Sequence, residues 1–189
     1  MNALRSLHDM IFGALERYGA GLLPLLARFV FAATLLVYFW NSGLTKLGEG
    51  VLGILRPSFG AYAQIFPRQM EAASYDISQF GVFHWAVVTA GTWAEFILPL
   101  LIVVGLLTRL AALGMIGFVV VQSLTDLYGH RAIEHPETVG AWFDRVPDSV
   151  ILDQRAFWML LLVTLVLKGA GALSIDRLLA KRLGSPAIA

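Results

Sequence analysis

The chain has 189 residues, of which 58% are apolar and 14% charged, with a mean hydropathy of +0.72. A soluble domain of this length carries about 25% charged residues and about 45–50% apolar ones, so the composition excludes an ordinary soluble domain. A formal net charge of +1 with no Lys/Arg cluster argues against a nucleic-acid partner, and the lack of cysteine excludes disulfides, thiolate nucleophiles and thiolate metal ligands.

Residues 1–21 place Leu4, Leu7, Ile11, Ala14, Leu15 and Tyr18 at helical spacing, with Arg5, Asp9, Glu16 and Arg17 largely off that face. The pattern predicts an amphipathic helix lying at a membrane surface. Its acidic residues and the lack of a small-residue cleavage site argue against a signal peptide.

Four apolar runs follow at about 22–40, 83–105, 107–125 and 156–175. Each is close to the roughly 20 residues that a helix needs to span a bilayer. The very short link around Thr108 and Arg109 makes the second and third spans antiparallel neighbours. Residues 41–82, broken by Pro57 and Pro67, are expected to hold short interfacial helices, and residues 126–155 form an acidic loop on the same side.

The expected fold is therefore an all-α membrane protein. It comprises a four-transmembrane-helix bundle over 22–179, the N-terminal amphipathic helix, short interfacial helices in the first long loop, and a cytoplasmic tail at 180–189. Arg5, Arg17, Arg109, Arg177, Lys181 and Arg182 share the side of the termini and the short link. The opposite side spreads Lys46, Arg56, Arg68, Arg131, Arg145 and Arg155 over longer loops, so the density of basic residues predicts cytoplasmic termini.

Three ionisable residues lie inside the spans. Counted from the terminal side at about 1.5 Å per residue, Arg28 and Lys168 come out about 10 Å deep and Glu95 about 15 Å. Because a lone charge at a helix centre costs about 2.5–3.5 kcal/mol, such residues face inward and find partners, which predicts one Arg28/Glu95/Lys168 cluster. Pro99 lacks the N–H that would have bonded the Glu95 carbonyl, loosening the helix there. The cluster can serve as packing glue alone, or as a site for an anionic or quinone-like ligand or a proton-relay carboxylate.

Asn41, Lys46, His84, Gln122 and Asp126 form a second polar group at the opposite rim, with interfacial anchoring as the plainer role. His130, Glu134 and His135 are the only metal candidates, and they are a weak set: two histidines five apart in an acidic loop. Gly169 and Gly171 lack the third glycine and the preceding strand of a dinucleotide fingerprint. No hydrolase triad, phosphate loop or metalloprotease signature is present.

Three stretches taken together resemble the DoxX family of small bacterial membrane proteins. They are "GLTKL" (Gly43 to Leu47), Glu95 followed by "GLLTRLAAL" (Gly105 to Leu113), and "KGAGALSIDRLL" (Lys168 to Leu179), where Ala170 replaces the family's usual proline. The resemblance implies a four-helix bundle in the bacterial inner membrane associated with redox, oxidative-stress or metal-handling systems. Arg28, Lys46, Glu95, Arg109 and Asp176 match the family's recurring polar residues, without assigned roles. The expected function is a small membrane subunit with no catalysis of its own, partnered by the lipid bilayer and a protein of a redox or stress-response system, with quinone as the candidate cofactor. The alternative is a small transporter or export accessory using Glu95 as a proton- or ligand-binding carboxylate.

Overall fold

Inside a bilayer every backbone N–H and C=O must be satisfied within the protein, which leaves helix as the form open to apolar spans of this length. The computed structural model describes residues 2–184, and all regular structure among them is helical. Four helical stretches are long and apolar enough to cross a membrane: Leu4–Lys46, Val82–Val104, Thr108–Gly129 and Val150–Lys168. This is a multi-pass membrane protein.

Helix α1, Asn2–Phe31, passes through one π turn, Ala32–Leu36, directly into α2, Val37–Lys46. Sequence reasoning separates a surface helix at 1–21 from a span ending at Trp40, but the structure has no break at that junction and carries the helix on to Lys46. Pro24 does not interrupt it, because the missing N–H is a single lost bond and the ring is buried against Gly171. Outside the bundle, Leu4, Leu7, Met10, Ile11, Phe12, Leu15 and Tyr18 remain exposed.

The first long loop folds back over the bundle. Helix α3, Phe59–Ile65, starts at Ser58, whose hydroxyl accepts the Ala61 N–H at 3.2 Å, and α4, Pro67–Ala72, opens on its proline. These short helices pack on the next span through Ala61, Tyr62, Met70 and Val88. That span is α5, Val82–Val104, and its Trp85 and Trp93 donate indole N–H groups to the carbonyls of Leu55 and Ile54.

Helix α5 ends at Gly105 (φ +71°), where a Cβ would sit 2.6 Å from Ser174 and 2.9 Å from the Arg28 guanidinium. Only glycine combines that left-handed backbone with so close an approach. Helix α6, Thr108–Leu124, continues into a π turn, Thr125–Gly129, and α7, Pro136–Val139, is a single turn in the second loop. A third π turn, Val150–Gln154, leads into α8, Arg155–Lys168.

The fourth span thus begins earlier and stops sooner than the expected 156–175. Gly169 and Gly171 take φ of +77° and +76° and turn the chain out of the helix. A separate helix follows, α9, Ile175–Leu183, capped by the Ser174 hydroxyl. The first residues of the expected 180–189 tail belong to α9, and 185–189 lie outside the described residues.

The four spans form a ring in which α1–α2 touches α5 and α8, and α6 touches α5 and α8. Ala27, Phe31, Leu35, Phe39, Ile102, Ala111, Ala112, Met115, Val119, Leu162 and Leu165 fill its core.

Candidate functional site

Glu95 is buried at 3% exposure, and its partner is Lys46. The ammonium donates to both carboxylate oxygens at 3.1 Å and to the Ser42 hydroxyl at 2.7 Å, while that hydroxyl donates to Glu95 at 2.9 Å. Because Ser42 and Lys46 are one helical turn apart, both reach the same carboxylate. The expected cluster is therefore corrected. Neither Arg28 nor Lys168 pairs with Glu95, and the cation comes from the rim group instead.

Arg28 is buried but spends its guanidinium on main-chain carbonyls. Nε donates to Ile102 at 2.9 Å and Nη2 to Val103 at 2.6 Å, while Nη1 donates to Ala170 at 2.9 Å and also to Leu173. The last carbonyls of a helix have no partner within it, so one cation here joins the end of α5 to the segment after α8. Lys168 is the final residue of α8 and is exposed, since that helix ends at the bundle face and leaves the long side chain free to reach water.

Asp176 is buried and accepts the N–H groups of Leu107 at 2.7 Å and Thr108 at 2.9 Å. It caps α6 from another part of the chain. Arg109 is exposed.

A cavity of about 710 Å³ opens beside the Lys46–Glu95 pair. Its walls come from α2, α3, α5, α6 and the loop ends, and they are mostly apolar. At its other end Arg155 donates to Asp126 and, at 2.8 Å, to the Ser123 hydroxyl. Gln122 donates to the Tyr38 hydroxyl at 3.1 Å, and His130 lies against the Gln64 carbonyl at 2.9 Å. The register of α5 on α6, fixed where Leu98 meets Gly114, puts Glu95 level with Gly117. Asp126 is nine residues farther along α6, so the two ion pairs are separated by about 14 Å along the bundle.

The rim group thus divides. Lys46, Gln122 and Asp126 line the cavity, whereas Asn41 is exposed and does not. His84 packs among aromatic rings, 5.0 Å from Phe66 and 4.8 Å from Phe80. The metal candidates do not converge either: His130 is turned to Gln64, His135 sits 3.5 Å from Glu137, and Glu134 is exposed. Among the described residues, no three His, Cys, Asp or Glu side chains form a set that could hold a metal.

A family model, DoxX, matches residues 23–125, more than half of the chain. The protein belongs to the DoxX family. Comparisons with curated proteins and with solved structures each gave no match. In this DoxX protein the matched segment contains Ser42, Lys46, Glu95 and Gln122 but stops one residue before Asp126, and Arg155 lies well beyond it. Sequence reasoning counts Arg155 only as a loop cation and gives no site role to it, to Ser42 or to Tyr38. One signal was available for Arg155: it directly precedes the fourth apolar run just as Asp126 closes the third, which puts opposite charges at adjoining ends of neighbouring helices.

Proposed function

We propose that this DoxX protein is a ligand-binding membrane subunit that holds an amphipathic quinone-like molecule for a redox or stress-response partner. The observation carrying this reading is a cavity of about 710 Å³ within the spans, with mostly apolar walls and hydrogen-bonding groups at both ends. Sites for drug-sized ligands have this makeup, about 300–1,000 Å³ of mostly apolar surface with a few placed polar groups. Among the described residues there is no cysteine and no metal-ligand set, so electrons would move between the bound molecule and a partner. The apolar surface of residues 4–18, left uncovered by the bundle, supports a protein partner. A bacterial inner membrane with cytoplasmic termini is part of the same proposal. Lys46 and Arg155 are buried in ion pairs, so the far side keeps fewer free basic residues than the terminal side.

A quinone that binds the folded state raises its stability by about 2.7 kcal/mol at a hundred times its Kd. Thermal unfolding in nanodiscs should therefore shift upward as menaquinone or ubiquinone is added. Gln122→Leu should weaken that shift by about tenfold in apparent affinity, the loss of one hydrogen bond of about 1.4 kcal/mol. No shift with either quinone would remove the quinone assignment.

The transport reading has one observation in its favour: Glu95 itself lines the cavity wall. It predicts that a membrane-permeant carbodiimide modifies Glu95, and that the modification rises as pH falls. Mass spectrometry showing Glu95 unlabelled at every pH sinks that reading.

A further inference from the structure

The cavity has a side open to lipid. On α6, Met115 and Val119 point into the core, and Gly117 is two residues from each, about 160° round the helix from both. Val121 lies as far from Val119. On α5, Ala94 and Ala90 are about 100° and 140° round from the buried Glu95. Yet Ala90, Ala94, Gly117 and Val121 all line the same cavity. A space bounded by these outward faces lies in the groove between the two helices, on the bilayer side.

Small residues keep that groove open. A Cβ added at Gly117 would meet nothing within 4 Å, while one at Gly114 would already press on Leu98 at 3.2 Å. The helices therefore touch at Gly114 and part at Gly117.

The polar end specifies what can enter. Arg155 and Gln122 line this end of the cavity, and behind its surface the Arg155 Nε and the Gln122 Oε1 are buried without a hydrogen-bond partner. Buried polar atoms left in this state are costly, so a head that lets the half-buried Gln122 amide turn into the cavity and bond it gains accordingly. Both charge pairs are already neutral within themselves, so an ionised head would bring an uncompensated charge into the membrane interior. A neutral hydroxyl or carbonyl head adds no such charge.

We propose that an uncharged, single-chain amphiphile dissolved in the bilayer loads this cavity sideways between α5 and α6. Its head meets Arg155 and Gln122, and its chain leaves past Gly117 toward the bilayer centre. The inference rests on the proposal that the cavity holds a ligand, and it adds the route and the charge of the head.

The test uses the full chain in nanodiscs with two photoreactive probes, a long-chain alcohol and the matching fatty acid. The alcohol should crosslink to peptides of α5 and the second half of α6. Gly117→Phe should cut that labelling by at least about tenfold, a loss of about 1.4 kcal/mol of binding, while Gly117→Ala leaves it unchanged. Val121→Trp blocks the same mouth from an exposed position and should act likewise. The fatty acid should label the groove no more than it labels lipid-facing Leu160 and Leu167 of α8. Labelling by the acid that matches the alcohol, or alcohol labelling that survives both blocking variants, overturns the proposal. Quinone serves as competitor: if it fails to displace an alcohol whose labelling Gly117→Phe abolishes, the quinone assignment falls and the route stands. If quinone still binds fully in both blocking variants, the route falls and the quinone assignment stands.

Discussion

Replacing Lys46 with methionine should destabilise the protein by about 3–5 kcal/mol, because it leaves Glu95 as a buried charge without its counter-ion. Glu95 and Lys46 are 3% and 6% exposed, so little water reaches either to compensate. Ser42 alone would remain, and a hydroxyl cannot balance a carboxylate. The double variant Lys46→Met/Glu95→Leu should recover most of the loss, since an apolar pair of similar volume removes the desolvation cost together with the attraction. Lys168→Met is the internal control, and as an exposed substitution it should stay within about 0.5 kcal/mol of the parent protein. Reversible unfolding in mixed micelles gives all three numbers. Equal losses for Lys46→Met and Lys168→Met would contradict the pairing.

Arg28→Met should cost about 4 kcal/mol or more, for a different reason. It deletes the donors for the carbonyls of Ile102, Val103, Ala170 and Leu173, and a hydrogen bond to a charged group contributes about 1.5–3 kcal/mol. The four are not additive, and the Ile102 carbonyl keeps the Gly105 N–H at 3.2 Å, but leaving the Val103, Ala170 and Leu173 carbonyls without a donor together is among the mechanisms that produce such large losses. Arg28→Lys should recover only part of the stability, because an ammonium is a single point and cannot fork between two chain segments. Hydrogen exchange localises the effect. The amides of Leu107, Thr108 and Asp176, which join α6 to the start of α9, should lose protection first. Exchange that rises equally across all four spans would count against a local latch.

These two residues also show how far the sequence carries. That Glu95 needs a buried cation follows from its place in an apolar run. Which cation serves does not, because the choice depends on where neighbouring helices end and how they are offset. Lys46 lies beyond an apolar run that stops at Trp40, so hydropathy puts it in a loop. The helix in fact continues to Lys46, and the loop after it folds back so that α3 packs against both α2 and α5, the helices that carry the pair. Depth counted along one helix also fails for Arg28, which reaches main-chain carbonyls. Every residue carries a carbonyl, so side-chain types give no sign of which ones will lack a partner.

The sequence by itself determined the membrane class, the number of spans, the tight α5–α6 connection and the family. Each follows from run length, charge density or local motif, which are properties of contiguous residues. Only the tertiary structure decided the Lys46–Glu95 and Arg155–Asp126 pairs, the carbonyl contacts of Arg28, and the cavity between the helices. Those features join residues 29 to 145 positions apart, and they depend on helix register and rotation, which side-chain packing sets and hydropathy does not encode.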